Sequence, residues 1–283
     1  MCSLKTYIFL LLIATASLQA QTVKVITYNI RLDIASDGEN RWDNRKEMLA
    51  KQLQFYHPDF FGVQEALPSQ MAYLLLYFNN QYDAVGVGRD DGKTNGEYSA
   101  IFYDINKYKV VRQSTFWLSQ TPEKPSLGWD AAYNRICTYG LFENIKTKQR
   151  LWVFNTHFDH VGETARMESA RLILSKIQEL NEQNLPFVLT GDFNLEPESV
   201  PIQLITGELY DAKNVSPFTY GPQGTFNAFE FNKPVTRRID YIFIPKKGIE
   251  VKKYAVLSDS DNCRYPSDHL PVYAELEIIK PAE

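Results

Sequence analysis

Polar and ionisable side chains stand repeatedly at the ends of short apolar runs in this sequence. Asn29 closes the alternating run that starts at Val23, Glu65 follows Phe-Gly-Val-Gln, and Glu97 opens the run beginning at Tyr98. His157 ends the run 151–156, and Asp192 and Asn194 follow 187–190 within Thr-Gly-Asp-Phe-Asn. Asp240 lies inside Arg-Ile-Asp-Tyr-Ile-Phe, and Asp268 and His269 precede the last run in Ser-Asp-His-Leu-Pro. One strand-end Asp is a turn or cap residue. Their recurrence at many strand edges implies one shared rim, where sites lie on sheet scaffolds. Carboxylates, imidazoles and amides without a site cysteine favour a hard cation, Mg²⁺, with Mn²⁺ or Ca²⁺ as alternatives. Zinc would want tight His/Cys spacing, which is missing. With no Gly-x-Ser-x-Gly and no glycine-rich phosphate loop before a helix, acyl-transfer triads and P-loop hydrolysis are disfavoured.

The segments that must position these residues read mostly as strands. Residues 23–30 alternate and are rich in β-branched and aromatic types. Strands are also predicted at 60–63, 98–103, 187–190, 238–244, 248–256 and 270–278, with 135–144 and 150–156 paired as a hairpin. Helices are expected at 44–55, with Asp43 as N-cap and a stop before Pro58, and at 69–78. The strongest helical pattern is 163–182, with Met167, Ala170, Leu174, Ile177 and Leu180 on one stripe. Many strands and few helices make this an α+β protein, two sheets packed face to face with helices outside.

The motifs Thr-Tyr-Asn-Ile-Arg, Gln-Glu, Asn-Thr-His-Phe-Asp, Gly-Asp-Phe-Asn, Arg-Ile-Asp-Tyr-Ile-Phe and Ser-Asp-His follow one another along nearly the whole chain. In this order they resemble the endonuclease/exonuclease/phosphatase superfamily, which includes deoxyribonucleases, abasic-site endonucleases, sphingomyelinases, deadenylases and inositol-phosphate phosphatases. The resemblance implies a four-layer α/β/β/α sandwich of two mostly antiparallel sheets with outer helices. By motif, Glu65 resembles the principal Mg²⁺ carboxylate with Asn29 beside it, and Asp192 the group that orients or deprotonates the attacking water. Asn194 resembles a donor to the phosphate or its transition state. His269 would contact the phosphate, with Asp240 on its other ring nitrogen fixing the tautomer. Glu97 and His157 look like a second carboxylate–histidine pair, and Asp268 is a candidate second metal or water ligand. Phosphoester hydrolysis needs such parts: cations against the charge, an in-line water and an oriented base.

Arg31 and Arg135 are candidate phosphate contacts, Asp159 and His160 candidate substrate-side residues, and Trp129 a candidate stacking platform. The plainer readings are an Arg135 paired with Glu143 or Asp130 and a Trp129 that covers a core edge. Abasic-site endonucleases carry an acidic residue where this chain has Arg31, a position at which it resembles deoxyribonucleases. The Gly-Trp-Asp at 128–130 and Asn-Arg-Ile-Cys-Thr at 134–138 look like features of a bacterial exported subgroup.

At 283 residues, 44% hydrophobic and 23% charged, the chain has ordinary globular composition. Lys5, a continuous apolar run from Tyr7 to Ile13 and small residues up to Ala20 read as a secretory signal peptide. Cleavage after Ala20, or after Ala16, would leave one domain over 21–283 that is exported and lacks a membrane span. The formal net charge of −4, more negative still without Lys5, offers no global attraction for nucleic acid or anionic membrane. The expected partner is a phosphoester, a small molecule or short nucleic-acid end in preference to long DNA or RNA, bound by a monomer. A nuclease of the same fold is one alternative, and an inactive exported binding module another. Cys137 and Cys263 are expected as separate, mostly buried thiols.

Overall fold

A computed structural model describes residues 21–279; the predicted signal peptide at 1–20 lies outside them. The chain begins β1 (Gln21–Asn29), α1 (Trp42–Tyr56), β2 (Phe60–Gln64), α2 (Pro68–Tyr77), β3 (Tyr82–Val85), β4 (Ile101–Asp104). It continues β5 (Tyr108–Trp117), β6 (Ile136–Asn144), β7 (Arg150–His157), α3 (Glu163–Leu180), β8 (Phe187–Asp192), α4 (Val200–Glu208). It ends β9 (Leu209–Asp211), α5 (Ala212–Val215), β10 (Thr219–Tyr220), β11 (Asp240–Pro245), β12 (Ile249–Val256), β13 (Val272–Ile278). One sheet runs β10-β12-β13-β1-β2-β4-β3 and the other β5-β6-β7-β8-β11-β9.

Period-2 alternation builds the layers. Val23 and Val25 of β1, Val153 of β7, Val188 of β8 and Ile242 of β11 point between the sheets into one core. Their neighbours point outward: Ile26 and Tyr28 meet Leu49, Leu53 and Leu74 of α1 and α2. Phe154, Leu189 and Phe243 meet Ile173, Ile177 and Ile205 of α3 and α4. The result is the expected α/β/β/α sandwich, mostly antiparallel. Among the described residues no helix is long and apolar enough to cross a membrane.

The topology explains why the motif residues share one edge. β1 and β2 are parallel, as are β7 and β8, and the hydrogen bond from Asn29 at the end of β1 to Asp192 at the end of β8 puts all four ends on the same side. β13 starts there because it runs antiparallel to β1, and β11 because it runs antiparallel to β8, with Asp240 opposite Asp192. β4 and β6 enter at this edge for the same reason, antiparallel to β2 and β7.

Just beneath that edge, a buried polar bridge ties the sheets together. Gln64 Nε2 donates to Thr27 Oγ1 (3.0 Å) and to Asn155 Oδ1 (2.7 Å), and Asn155 Nδ2 donates to the carbonyls of Val63 and Ala100 (2.9 Å each). Thr190 Oγ1 lies 3.1 Å from Asn155 Oδ1. A Cβ on Gly62 would fall 2.5 Å from Asn155 Oδ1 and 2.9 Å from Thr190 Oγ1, so glycine is required by close approach. Gly62→Ala is expected to lower unfolding free energy by about 1–3 kcal/mol, because the bonded Asn155 cannot withdraw. Urea unfolding measures this, and an unchanged midpoint would contradict it.

The structure corrects several sequence expectations. Asp43 sits in the first turn of α1 while Arg41 takes the N-cap position; the helix stops at His57, whose φ of 46° is left-handed. In α3 the buried face is Ala165, Ser169, Ala170, Ile173 and Ile177, so Met167, Leu174 and Leu180 flank the stripe instead of centring it. Tyr98 makes isolated bridges to Ala66 and Gly88, and the strand proper starts at Ile101. Cys137 and Cys263 are unbonded. Cys137 is buried, which pushes its thiol up, but Cys263 is exposed in the turn closed by Asp261 and Arg264.

Candidate active site

The edge opens into a cleft of about 760 Å³ lined by Glu65, Glu97, His157, Asp192, Asn194, Asp268 and His269, with Arg31, Arg135 and His160. Asn29 lies just under its floor. Its Nδ2 donates to Glu65 Oε1 (3.0 Å) and to Asp192 Oδ2 (2.9 Å), joining carboxylates from opposite sheets. The other oxygen of Asp192 accepts the Asn194 backbone N–H (2.8 Å). Asn194 Nδ2 donates to the Phe158 carbonyl and lies 3.0 Å from His157 Nε2. Arg31, Glu65 and Asn194 all have left-handed φ, between 52° and 62°. A conformation costing roughly 1–3 kcal/mol each, held at the cleft, marks a constrained site.

His269 and Asp240 form the predicted dyad, Nδ1 to Oδ2, at 2.9 Å. The Asp240 oxygen also accepts the Thr225 hydroxyl at 2.6 Å, and Thr225 Oγ1 receives the backbone N–H groups of Ile239 and Asp240. Burial alone would lower the imidazole, but the Asp240 and Asp192 carboxylates override it and lift His269 to about 10. The imidazolium therefore persists at neutral pH, its Nε2 3.8 Å from Asp192 Oδ2. Burial, then repulsion from Asp240, raises Asp192 above the usual carboxylate range and makes it more basic. His157 behaves oppositely. Burial, then the Arg135 and Arg89 cations, holds it well below the ordinary value, so it is neutral.

Asp192, Asp240 and His269 bring ligand atoms within 4.8 Å of one another. His269 Nδ1 is committed to Asp240, however, and Asp240 does not line the cleft. Glu65 and Asp268, by contrast, both line the cleft. Burial, followed by repulsion from Glu65, raises Asp268. A divalent ion between these carboxylates would relieve that repulsion, so Glu65 and Asp268 suit a hard cation, with Asn29 bonded to Glu65 beneath them.

Other expectations change. Glu97 does not hydrogen-bond His157, which is 4.0 Å away; both of its oxygens are gripped by Arg89 at 2.7 Å. Asp159, expected on the substrate side, does not line the cleft. Its buried carboxylate accepts the N–H groups of Ala132, Val161 and Gly162 and pairs with Arg135, so it anchors a loop. Trp129 is outside the cleft lining, and the aromatics that do line it are Tyr133 and Phe226. Arg31 reaches the cleft but is bound through Nε and Nη2 to Asp37, with Glu65 and Asp268 within 3.9 Å. Sequence reasoning missed Thr225 and Arg89. It also missed Arg45, which is buried and donates to the carbonyls of Ile30, Arg31 and Pro266, pinning the loop after β1 to the segment before Asp268.

The sequence profile of the Endonuclease/Exonuclease/phosphatase family matches residues 26–269. The chain belongs to that family. A family member from Bacteroides thetaiotaomicron of known structure is 39% identical over 93% of this chain and all of its own, with a TM-score of 0.88. A mannosyl-6-phosphatase from the same species is 40% identical, covering 90% of this chain and 99% of its own, with a TM-score of 0.86. Among curated proteins, the Ccr4 exoribonuclease subunit of the CCR4-Not complex from Mycosarcoma maydis is 22% identical over 91% of this chain. The chain spans about half the length of the curated relatives it matches, 51% in that case. The endonuclease/exonuclease/phosphatase family is metal-dependent, and the relatives named here are a phosphatase and a nuclease.

Proposed function

We propose that the chain is an exported, Mg²⁺-dependent phosphomonoesterase that removes phosphate from a compact sugar phosphate. One observation carries the choice of a compact ester. Every arginine lining the cleft already faces a carboxylate: Arg31 with Asp37, Arg89 with Glu97, Arg135 with Asp159, and Arg237 with Glu196 at 3.8 Å. No lysine lines the cleft among the described residues. A duplex or long strand needs a track of uncompensated cations; a single phosphate needs only the reacting centre. The 40% identity to a mannosyl-6-phosphatase supports the same reading. Export rests on the leader-like residues 1–20.

In this reading Asp192, made more basic by burial, orients the attacking water and takes its proton. His269, charged and held by Asp240, donates from Nε2 to a phosphoryl oxygen; as the water oxygen bonds to phosphorus the ester P–O bond breaks, and the departing alcohol oxygen takes a proton from water in the open cleft. Asn194 holds His157 and the ester-side wall in place. When bound at Glu65, Asn29 and Asp268, Mg²⁺ supplies charge neutralisation and Lewis acidity for the phosphoryl group.

The test is a Mg²⁺-supplemented panel of hexose phosphates, nucleotides, inositol phosphates, phospholipid head groups, single-stranded DNA and plasmid. A hexose monophosphate should lead in kcat/KM, with less than about a tenfold change between 50 and 200 mM NaCl. Plasmid nicking that outpaces every small ester would assign the cleft to a nuclease instead.

A further inference from the structure

One wall of the cleft carries groups that the hydrolytic step does not use. Tyr133 is 54% exposed yet fixed: His160 stacks on it at 5.9 Å and 17°, and the Arg89 guanidinium lies 5.2 Å from its ring centre. Arg89 and Arg135 beside it are 8% and 5% exposed. Glu97 takes both terminal nitrogens of Arg89. Asp159 takes Arg135 Nε at 3.3 Å, and Arg135 Nη2 is 3.1 Å from His160 Nδ1. After these bonds Arg89 Nε and Arg135 Nη1 are buried with no partner among the described residues. An unmade bond on a buried N–H is costly, so a hydroxyl bound against this wall would relieve it.

The charges of this wall cancel, since two guanidinium groups face two carboxylates. A second phosphate would find no uncompensated cation here and would meet Glu97. An aromatic face beside unpartnered N–H donors, in a wall of zero net charge, suits a ring with one apolar C–H face and hydroxyl groups at its edge. We propose that Tyr133 is the platform for the leaving group, an uncharged polyhydroxylated ring, and that Arg135 Nη1 hydrogen-bonds one of its hydroxyls. This rests on the phosphomonoesterase reading and adds to it which wall selects the alcohol and that this alcohol carries no second charge.

The experiment compares wild type, Tyr133→Ala and Tyr133→Phe on mannose 6-phosphate and on methyl phosphate, whose leaving alcohol has no ring to stack. Mannose 1,6-bisphosphate tests the charge argument. Tyr133→Ala should lower kcat/KM on mannose 6-phosphate by about tenfold, mostly through KM, and stay within about twofold of wild type on methyl phosphate. Tyr133→Phe keeps the ring and should remain within about threefold on both. Wild type should handle the bisphosphate at least about tenfold less well than the monophosphate. Equal loss on both monoesters in Tyr133→Ala, no loss on either, or a preference for the bisphosphate would overturn the subsite while leaving the phosphomonoesterase reading intact. Wild type inactive on both monoesters would overturn that reading and the subsite with it.

Discussion

Asp240→Asn is expected to lower kcat/KM on the order of 10³-fold, about as far as His269→Ala, although Asp240 does not line the cleft. An asparagine can still present its oxygen to His269 Nδ1 and to Thr225, because the other Asp240 oxygen has no partner among the described residues. What it removes is charge. Two carboxylates hold the buried His269 up near 10, and without Asp240 the effect of burial gains the upper hand. The group is protonated below its pKa, so lowering that pKa deprotonates it from the alkaline side. The basic limb of the pH–rate profile should therefore move down from alkaline pH toward neutrality. The double variant Asp240→Asn/His269→Ala should be scarcely worse than either alone, since the residues act as one unit. Losses that multiply, or an unmoved basic limb, would show that the dyad does not work through the imidazolium.

Glu65→Gln should cut activity by at least ~10²-fold at limiting Mg²⁺, if the cation contributes several kcal/mol to the transition state. The shape is kept, and Asn29 Nδ2 still finds an acceptor. The second oxygen now accepts the Leu32 N–H at 3.1 Å, and an amide NH₂ there would oppose donor to donor. The Mg²⁺ concentration giving half-maximal rate should rise, while metal-free thermal unfolding should shift by only a few degrees. A rate within threefold of wild type at every Mg²⁺ concentration would move the cation elsewhere, with the Asp192, Asp240 and His269 cluster as the alternative.

Much of this site was legible in the sequence because strand ends carry it. Asp192 and Asn194 flank one turn, and Asp268 and His269 immediately precede a strand, so local pattern and chemistry coincide. The polar bridge could have been found by the same logic. Thr27, Asn155 and Thr190 stand two residues before Asn29, His157 and Asp192, on the same face of their strands. Asp159 could have been read as a turn anchor, since its carboxylate accepts N–H groups two and three residues onward, ahead of Gly162. Thr225, Arg89, Tyr133 and Phe226 were not legible. They sit in irregular segments between strands, and only tertiary folding brings them to the cleft. The pairing of Arg135 with Asp159 and of Arg237 with Glu196 was equally hidden, because the partners are far apart in sequence. That pairing is the structural support for the compact ester already expected from the acidic net charge.

The cleft is proposed to hydrolyse a compact phosphomonoester with a bound divalent cation. The most direct measurement is phosphate release from mannose 6-phosphate by purified, metal-stripped protein titrated with Mg²⁺. Release should be negligible under chelator and rise saturably to full rate as Mg²⁺ is restored. Full phosphate release in excess chelator would contradict it, as would no release at any Mg²⁺ concentration from protein that cleaves DNA under the same conditions.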